Sequence, residues 1–278
     1  MENTRDLVRK DFEKWRNTPP NLIQRGMGTV FTPVEFLLRP FVNAAAPLLE
    51  GVVKGANNFI ADTIQKFSGE LVDVNEFSEL EFKEWIKRAD IAAMNWVTGG
   101  IAALTAEGVA TGLGGFKLLA VDIPASFGLI ISYANKIALT YQLDITDEEV
   151  QVELIKAISA GSETSAKGKL SSTASLRTVS NIIAKQSWKS MEKAPAKSLP
   201  KLIFTIRALV KKLGYNITKR KAAQLVPIIG GVTGGAINGS WAADALEAVR
   251  QFSRMSVTET YYSKEKNKSC EPEAEFQV

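Results

Sequence analysis

Asp122 stands out because of the residues around it. It lies in "FKLLAVDIPASFGLIISYA", an apolar run whose only other charge is Lys117. An ionised carboxylate in such a setting is costly unless it is paired or used, so one reading is a proton acceptor or cation ligand in a pocket between helices. The other reading is structural. Asp followed by Ile123 and Pro124 has the form of a helix N-terminus, with the carboxylate capping free N–H groups and proline in the first turn. Tyr141 and Lys117 are the groups an enzyme or small-ligand site would draw on, which makes Asp122 and Tyr141 the catalytic candidates. Glu107 carries the same ambiguity.

Other chemistries are excluded. The chain of 278 residues contains no histidine, so it has no Ser-His-Asp or Cys-His pair, no HExxH zinc site and no imidazole switch. Its single cysteine, Cys270, forms no internal disulfide. No metal-ligand spacing occurs, and no pattern names a cofactor. The stretch "PIIGGVTGGAINGS" has neither the lysine of a P-loop nor the strand and spacing of a dinucleotide fingerprint. Instead Gly231, Gly235 and Gly239 recur every four residues, as do Gly230 and Gly234. On a helix that spacing makes a groove free of side chains, where a second helix can approach closely. Gly108 and Gly112 repeat the spacing and are the expected partners, with Asn238 placed to bond across the contact. Close packing must compensate for glycines that each cost a helix about 1 kcal/mol relative to alanine.

Charge is unevenly distributed. From Val150 to Ala222 there are fifteen Lys or Arg against three acids, a surplus of +12 in a chain whose total is +4. The bland account is a set of solvated helix faces; the functional one is an anionic partner. Lys211, Lys212, Lys219, Arg220 and Lys221 are the candidates for contact with phosphate-rich headgroups. Nucleic acid is not expected, because Trp188 and Tyr215 stand nearly alone as stacking residues in the basic segment and no helix-turn-helix pattern appears.

These residues must be positioned by helices, since helical periodicity dominates and no long alternating run occurs. The expectation is an all-α fold: a compact multi-helix domain with closely packed glycine-rich apolar helices and a disordered C-terminal tail. Residues 4–17 form a first amphipathic helix stopped by Thr18-Pro19-Pro20. A second helical region, 34–65, is interrupted by Pro40 and Pro47. Residues 76–89 form a charged helix with Phe77, Leu80, Trp85 and Ile86 on one face, followed by a charge-free run from Ile91 to Ala106. Thr146 and Glu149 have capping-box spacing for a new helix. Further helices are expected at 201–213 and 244–255. The domain reading is an N-terminal helical region at 1–70, a helical domain at 71–255 with a mobile Ser/Lys-rich loop at about 160–176, and a disordered tail at 256–278.

Ala222 to Ala243 is long enough to span a bilayer, but its Gln, Thr, Asn, Ser and five glycines make it a poor insertion signal. Spanning, peripheral association and burial in a soluble core all remain open, with the spans insertion-competent at best. The start "MENTRDLVRKDFEKW" is charged and lacks an apolar core, so a cytoplasmic location is expected.

The stretches "TGGIAALTAEGVATGLGGFKLLAVDIPASFGLIISYANKIALTYQLDITDEE" and "KKLGYNITKRKAAQLVPIIGGVTGGAINGSWAADALEAVRQFSR" together resemble the EcsC family, bacterial proteins named for a component encoded beside an ABC transporter. Matching positions are Asp122, Pro124, Ala138, Tyr141, Asp144, Pro227, Gly230, Gly231, Gly235 and Asn238. The resemblance covers roughly residues 80–255. The family turn often reads Tyr-Gly-Tyr-Asp, where this chain has Tyr141-Gln142-Leu143-Asp144. The resemblance implies a link to transport or secretion machinery and to the membrane, with no established reaction. The leading expectation is a non-enzymatic accessory protein peripherally associated with the inner face of the membrane, binding anionic lipid or a membrane protein. The alternatives are an enzyme or ligand binder built on Asp122, and a pore-former whose apolar helices rearrange on a bilayer.

Overall fold

The structure, a computed structural model, describes residues 3–23, 25, 72–112, 119–173 and 230–268. All regular structure among them is helical. The expected helices at 34–65 and 201–213, the domain boundary at 70/71 and all five candidate headgroup-binding cations lie outside the described residues.

α1 spans Thr4–Asn17, the limits expected from sequence. Asn3 caps it by accepting a hydrogen bond from the Asp6 amide at 2.9 Å. At its other end the Thr18 amide and hydroxyl donate to the Lys14 carbonyl, and two prolines follow. Val8 and Phe12, one turn apart, are buried with Met255, and Trp15 packs against them.

A 3-10 turn, Val74–Glu76, leads into α2, Glu79–Gly112. The expected helix at 76–89 therefore starts three residues late. Ser78 is the cap, its hydroxyl facing the Glu81 amide while the Glu81 carboxylate accepts from the Ser78 amide at 2.8 Å. Trp85 and Ile86 are buried on the expected face. Leu80, expected inside, is 67% exposed, and Phe82 is fully buried in its place.

α3 spans Leu119–Thr140. The backbone is helical ahead of Asp122, so Asp122 lies within α3 instead of capping its N-terminus. The C-terminus closes in a Schellman turn: the Leu143 amide donates to the Ala138 carbonyl and the Gln142 amide to the Leu139 carbonyl. Gln142 takes the left-handed conformation of that turn, φ 61°. This is the position where the related pattern often has glycine. Gln142 is held there by its Oε1, which accepts from the Val72 amide at 3.2 Å.

α4 spans Glu148–Gly161. Its cap is Asp147, which accepts from the Glu149 and Val150 amides, and not Thr146. The Thr146 hydroxyl donates back to Asp144 at 2.6 Å. The mobile loop expected at 160–176 is absent as far as residue 173. α4 ends on Ser162, which is fully buried and accepts from the Trp241 indole at 2.8 Å, and a further helical stretch occupies 166–173. There Lys169 is buried, donates to the carbonyls of Trp15 and Thr18, and lies 4.3 Å from the Trp15 ring centre. Serine and lysine of the expected mobile loop are here used as ties between segments.

α5, Gly230–Lys268, is one helix of 39 residues, roughly 58 Å long at 1.5 Å per residue. It packs against α1, α2, α3 and α4. The expected break near residue 244 does not occur, and the tail expected from 256 begins no earlier than 269. Val257, Thr258, Glu259 and Tyr261 are buried. Tyr261 stacks on Phe82 with centroids 4.0 Å apart, and its hydroxyl donates to the Phe77 carbonyl. Glu259 is clamped by Arg5 at 2.6 Å and Arg9 at 2.7 Å.

Candidate functional site

The contact between α2 and the first half of α5 leaves no room for side chains at several glycines. A Cβ at Gly108 would stand 2.5 Å from the Gly234 carbonyl oxygen and 2.6 Å from the Asn238 amide nitrogen. At Gly235 it would stand 2.7 Å from a Val109 methyl, and at Gly239 2.3 Å from the Thr105 hydroxyl. The structure thus brings Gly108, Gly234, Gly235, Asn238 and Gly239 into one seam. Gly112 is the last residue of α2, and Gly230 and Gly231 are the first two of α5.

One carboxylate pins this seam. Glu107 Oε2 accepts from Asn238 Nδ2 at 2.6 Å and from Ser126 Oγ at 2.8 Å, tying α2 to α5 and α3. Asn238 and Ser126 are essentially inaccessible to water. Two charge-dipole hydrogen bonds at such burial stabilise the carboxylate and fix the register of three helices.

Tyr141 belongs to a second cluster, at the opposite end of α3 from Asp122. Nineteen residues of helix separate the two positions, roughly 28 Å along the axis, so they do not share a pocket. Tyr141 is fully buried and donates to Asp90 Oδ1 at 2.5 Å. Arg250 reaches the same oxygen at 3.2 Å, and Arg254 Nε lies 2.9 Å from Asp90 Oδ2, close enough for an ion pair though not aligned for a hydrogen bond. Arg250 also pairs with Glu247, and Arg254 with Asp11 of α1. Burial, reinforced by the Asp90 carboxylate, pushes the Tyr141 phenol well above its ordinary range. The group therefore stays protonated and acts as a donor, unsuited to work as a base or nucleophile.

Sequence reasoning missed Asp90, Ser126, Arg250 and Arg254. Glu247, Arg250 and Arg254 stand at helical spacing and mark one face of α5, but nothing local points to Asp90, 160 positions away from Arg250. Among the described residues no group of His, Cys, Asp or Glu is placed to hold a metal ion.

The profile of the EcsC protein family matches residues 41–256. The chain belongs to that family. Both polar clusters fall largely within the matched span, as does the glycine seam; Asp11 and α1 lie outside it. The EcsC chain is also similar to YdbA of Bacillus subtilis (strain 168), described as an uncharacterized protein, at 29% identity over 181 residues. The alignment covers 60% of this chain and 59% of YdbA, so it spans about three-fifths of that relative's length. No solved structure matches the chain.

Proposed function

We propose that this EcsC-family protein is a non-enzymatic accessory protein that lies against the anionic inner face of a membrane and serves a transport or secretion assembly there. The observation that carries the reading is the outer face of α2. Residues 91–106 contain no charge, yet Ile91, Met94, Thr98, Ala102 and Ala106, followed by Val109, are exposed along one side of the helix. Ile91 is 67% exposed and Met94 42%. A solvated helix face is normally charged, and an uncharged one is stable where it meets lipid headgroups or a partner.

Lys87 and Arg88, both exposed, head the same face, and the +12 segment at 150–222 adds attraction for anionic lipid. No described helix is long and apolar enough to cross a membrane, which favours contact in the interface plane. The family's implied link to an ABC transporter agrees with this placement.

Co-sedimentation with vesicles tests the reading. Binding should rise with the fraction of anionic lipid and fall as salt is raised. The double substitution Ile91→Glu, Met94→Glu should lower partitioning at least about tenfold while leaving the melting temperature nearly unchanged. Absence of binding to any vesicle at low salt, or equal binding by the double variant, would overturn it.

A further inference from the structure

Beside the exposed face of α2, two aromatic rings frame a single cation. The Lys136 ammonium on α3 lies 5.0 Å from the centre of the Trp96 ring on α2 and 4.9 Å from that of Tyr133, one turn before it. Gly99 and Gly100 seat the Tyr133 ring against α2. A Cβ at Gly100 would stand 3.0 Å from its Cγ, and one at Gly99 3.4 Å from its Cε1. All three side chains are half-buried.

Lys136 Nζ makes no hydrogen bond and no ion pair among the described residues. Trp96 Nε1 and Tyr133 Oη have no partner there either, and neither atom is sealed from water. The surroundings are uncharged. From Ile123 to Leu143 the sequence carries one charged residue, Lys136, and from Ile91 to Ala106 it carries none. Ala92, one turn before Trp96, and Ala125, two turns before Tyr133, are exposed.

A cation held over ring faces keeps its remaining side open to an anion. A free anion in water is normally met by several donors, and here there is one cation in an apolar strip. A lipid layer supplies both halves of that pattern, an apolar phase and a phosphate at its edge. Trp and Tyr with a polar tip, and Lys with a long apolar stem, are the residue types that sit where those two layers meet.

We propose that Trp96, Tyr133 and Lys136 receive the phosphate of an anionic phospholipid. Lys136 Nζ donates to the phosphate oxygens, and Trp96 Nε1 and Tyr133 Oη lie at headgroup depth. The proposal rests on the membrane reading and deepens it, naming the flank of α2 that turns toward the bilayer and the cation that meets it.

The test uses the full chain and vesicles of mixed phosphatidylglycerol and phosphatidylcholine. Lys136→Gln should lower partitioning about fivefold. Lys167→Gln makes an equal change of charge at an exposed lysine of the 166–173 stretch, and should lower it less than about twofold. Trp85 and Trp241 are buried, so brominated acyl chains in the same vesicles should quench a component of the tryptophan emission that Trp96→Phe removes. Trp96→Phe keeps a ring over the lysine, and Lys136→Gln opens no core position, so both variants should keep the wild-type Tm within about 2 °C. Absence of wild-type binding to any vesicle removes the membrane reading and this contact with it. Binding without quenching of Trp96, or an equal loss in the two lysine variants, overturns the contact alone and leaves the membrane reading standing. Displacement from the vesicles by inorganic phosphate at constant ionic strength assigns the cation to a free anion and overturns the lipid assignment.

Discussion

The two halves of α5 hold their neighbours by opposite means. In the first half, contact with α2 is made by removing side chains, so that Gly108 meets the Gly234 carbonyl directly. In the second half it is made by large and charged groups, with Tyr261 stacked on Phe82 and Arg250 and Arg254 on Asp90, while Glu259 binds α1 between Arg5 and Arg9. Where glycine meets backbone, as at Gly108 and the Gly234 carbonyl, the contact cannot adjust by rotating a side chain. A side-chain seam can relax one rotamer at a time, and its cost of disturbance is set by how many partners are left behind.

Four substitutions sharpen that contrast. Gly108→Ala places a methyl against backbone that cannot yield, and also against the Asn238 amide that serves Glu107. Overpacking should outweigh the helical gain of alanine and destabilise by about 3 kcal/mol in denaturant unfolding. Asp90→Ala leaves the Tyr141 hydroxyl without its acceptor and takes one partner each from Arg250 and Arg254, which keep Glu247 and Asp11. Breaking a buried pair typically costs 3–5 kcal/mol, but the Asp90 side chain is 22% exposed, so about 2 kcal/mol is expected by the same measurement.

Glu259→Gln should cost about 1 kcal/mol at neutral pH. Burial alone would raise the pKa of Glu259, but hydrogen bonds from Arg5 and Arg9 outweigh it and hold the carboxylate below its ordinary value. A depressed folded-state pKa means that its stabilisation is present above the unfolded value of about 4.3 and is lost as pH falls through the folded one. The gap between wild type and variant should therefore close on acidification below about pH 4, followed by thermal unfolding across pH. Gly239→Ala is the smallest. Its added methyl meets the Thr105 hydroxyl, a side-chain atom that can turn away, and alanine gains about 1 kcal/mol of helix propensity. The net change should stay within about 0.5 kcal/mol in either direction. If Gly239→Ala proved as damaging as Gly108→Ala, the distinction between a rigid and a yielding neighbour would fail.

How much was legible in the sequence follows from the range of each interaction. α1 was readable to the residue because its cap, its buried face and its stopping prolines are all local. The glycine spacing of four was readable too, although its counterpart on α2 had to be found 131 positions away, the separation between Glu107 and Asn238. Ser78 with Glu81 was an available signal for the start of α2, and the apolar pair Phe77 and Leu80 drew attention from it. Residues 256–268 looked like tail because they are rich in Ser, Thr, Glu and Lys. The burial of Glu259 and Tyr261 depends on partners that adjacent sequence does not show: Arg5, 254 positions from Glu259, and Phe82 beneath Tyr261. The ion cluster at Asp90 was hidden for the same reason.

The central position of α5 bears on the order of synthesis. It is the last described helix in chain order, and every other described α-helix leans on it. α2 is complete at Gly112 and α5 starts at Gly230. At ~5–20 residues per second a ribosome needs roughly ten seconds to cover that interval. Throughout it the inner face of α2, with Phe82, Val97 and Leu104, has no α5 to cover it. The nascent chain thus keeps apolar surface uncovered until its final described helix emerges, and a ribosome stalled before residue 230 holds a chain that cannot complete its core.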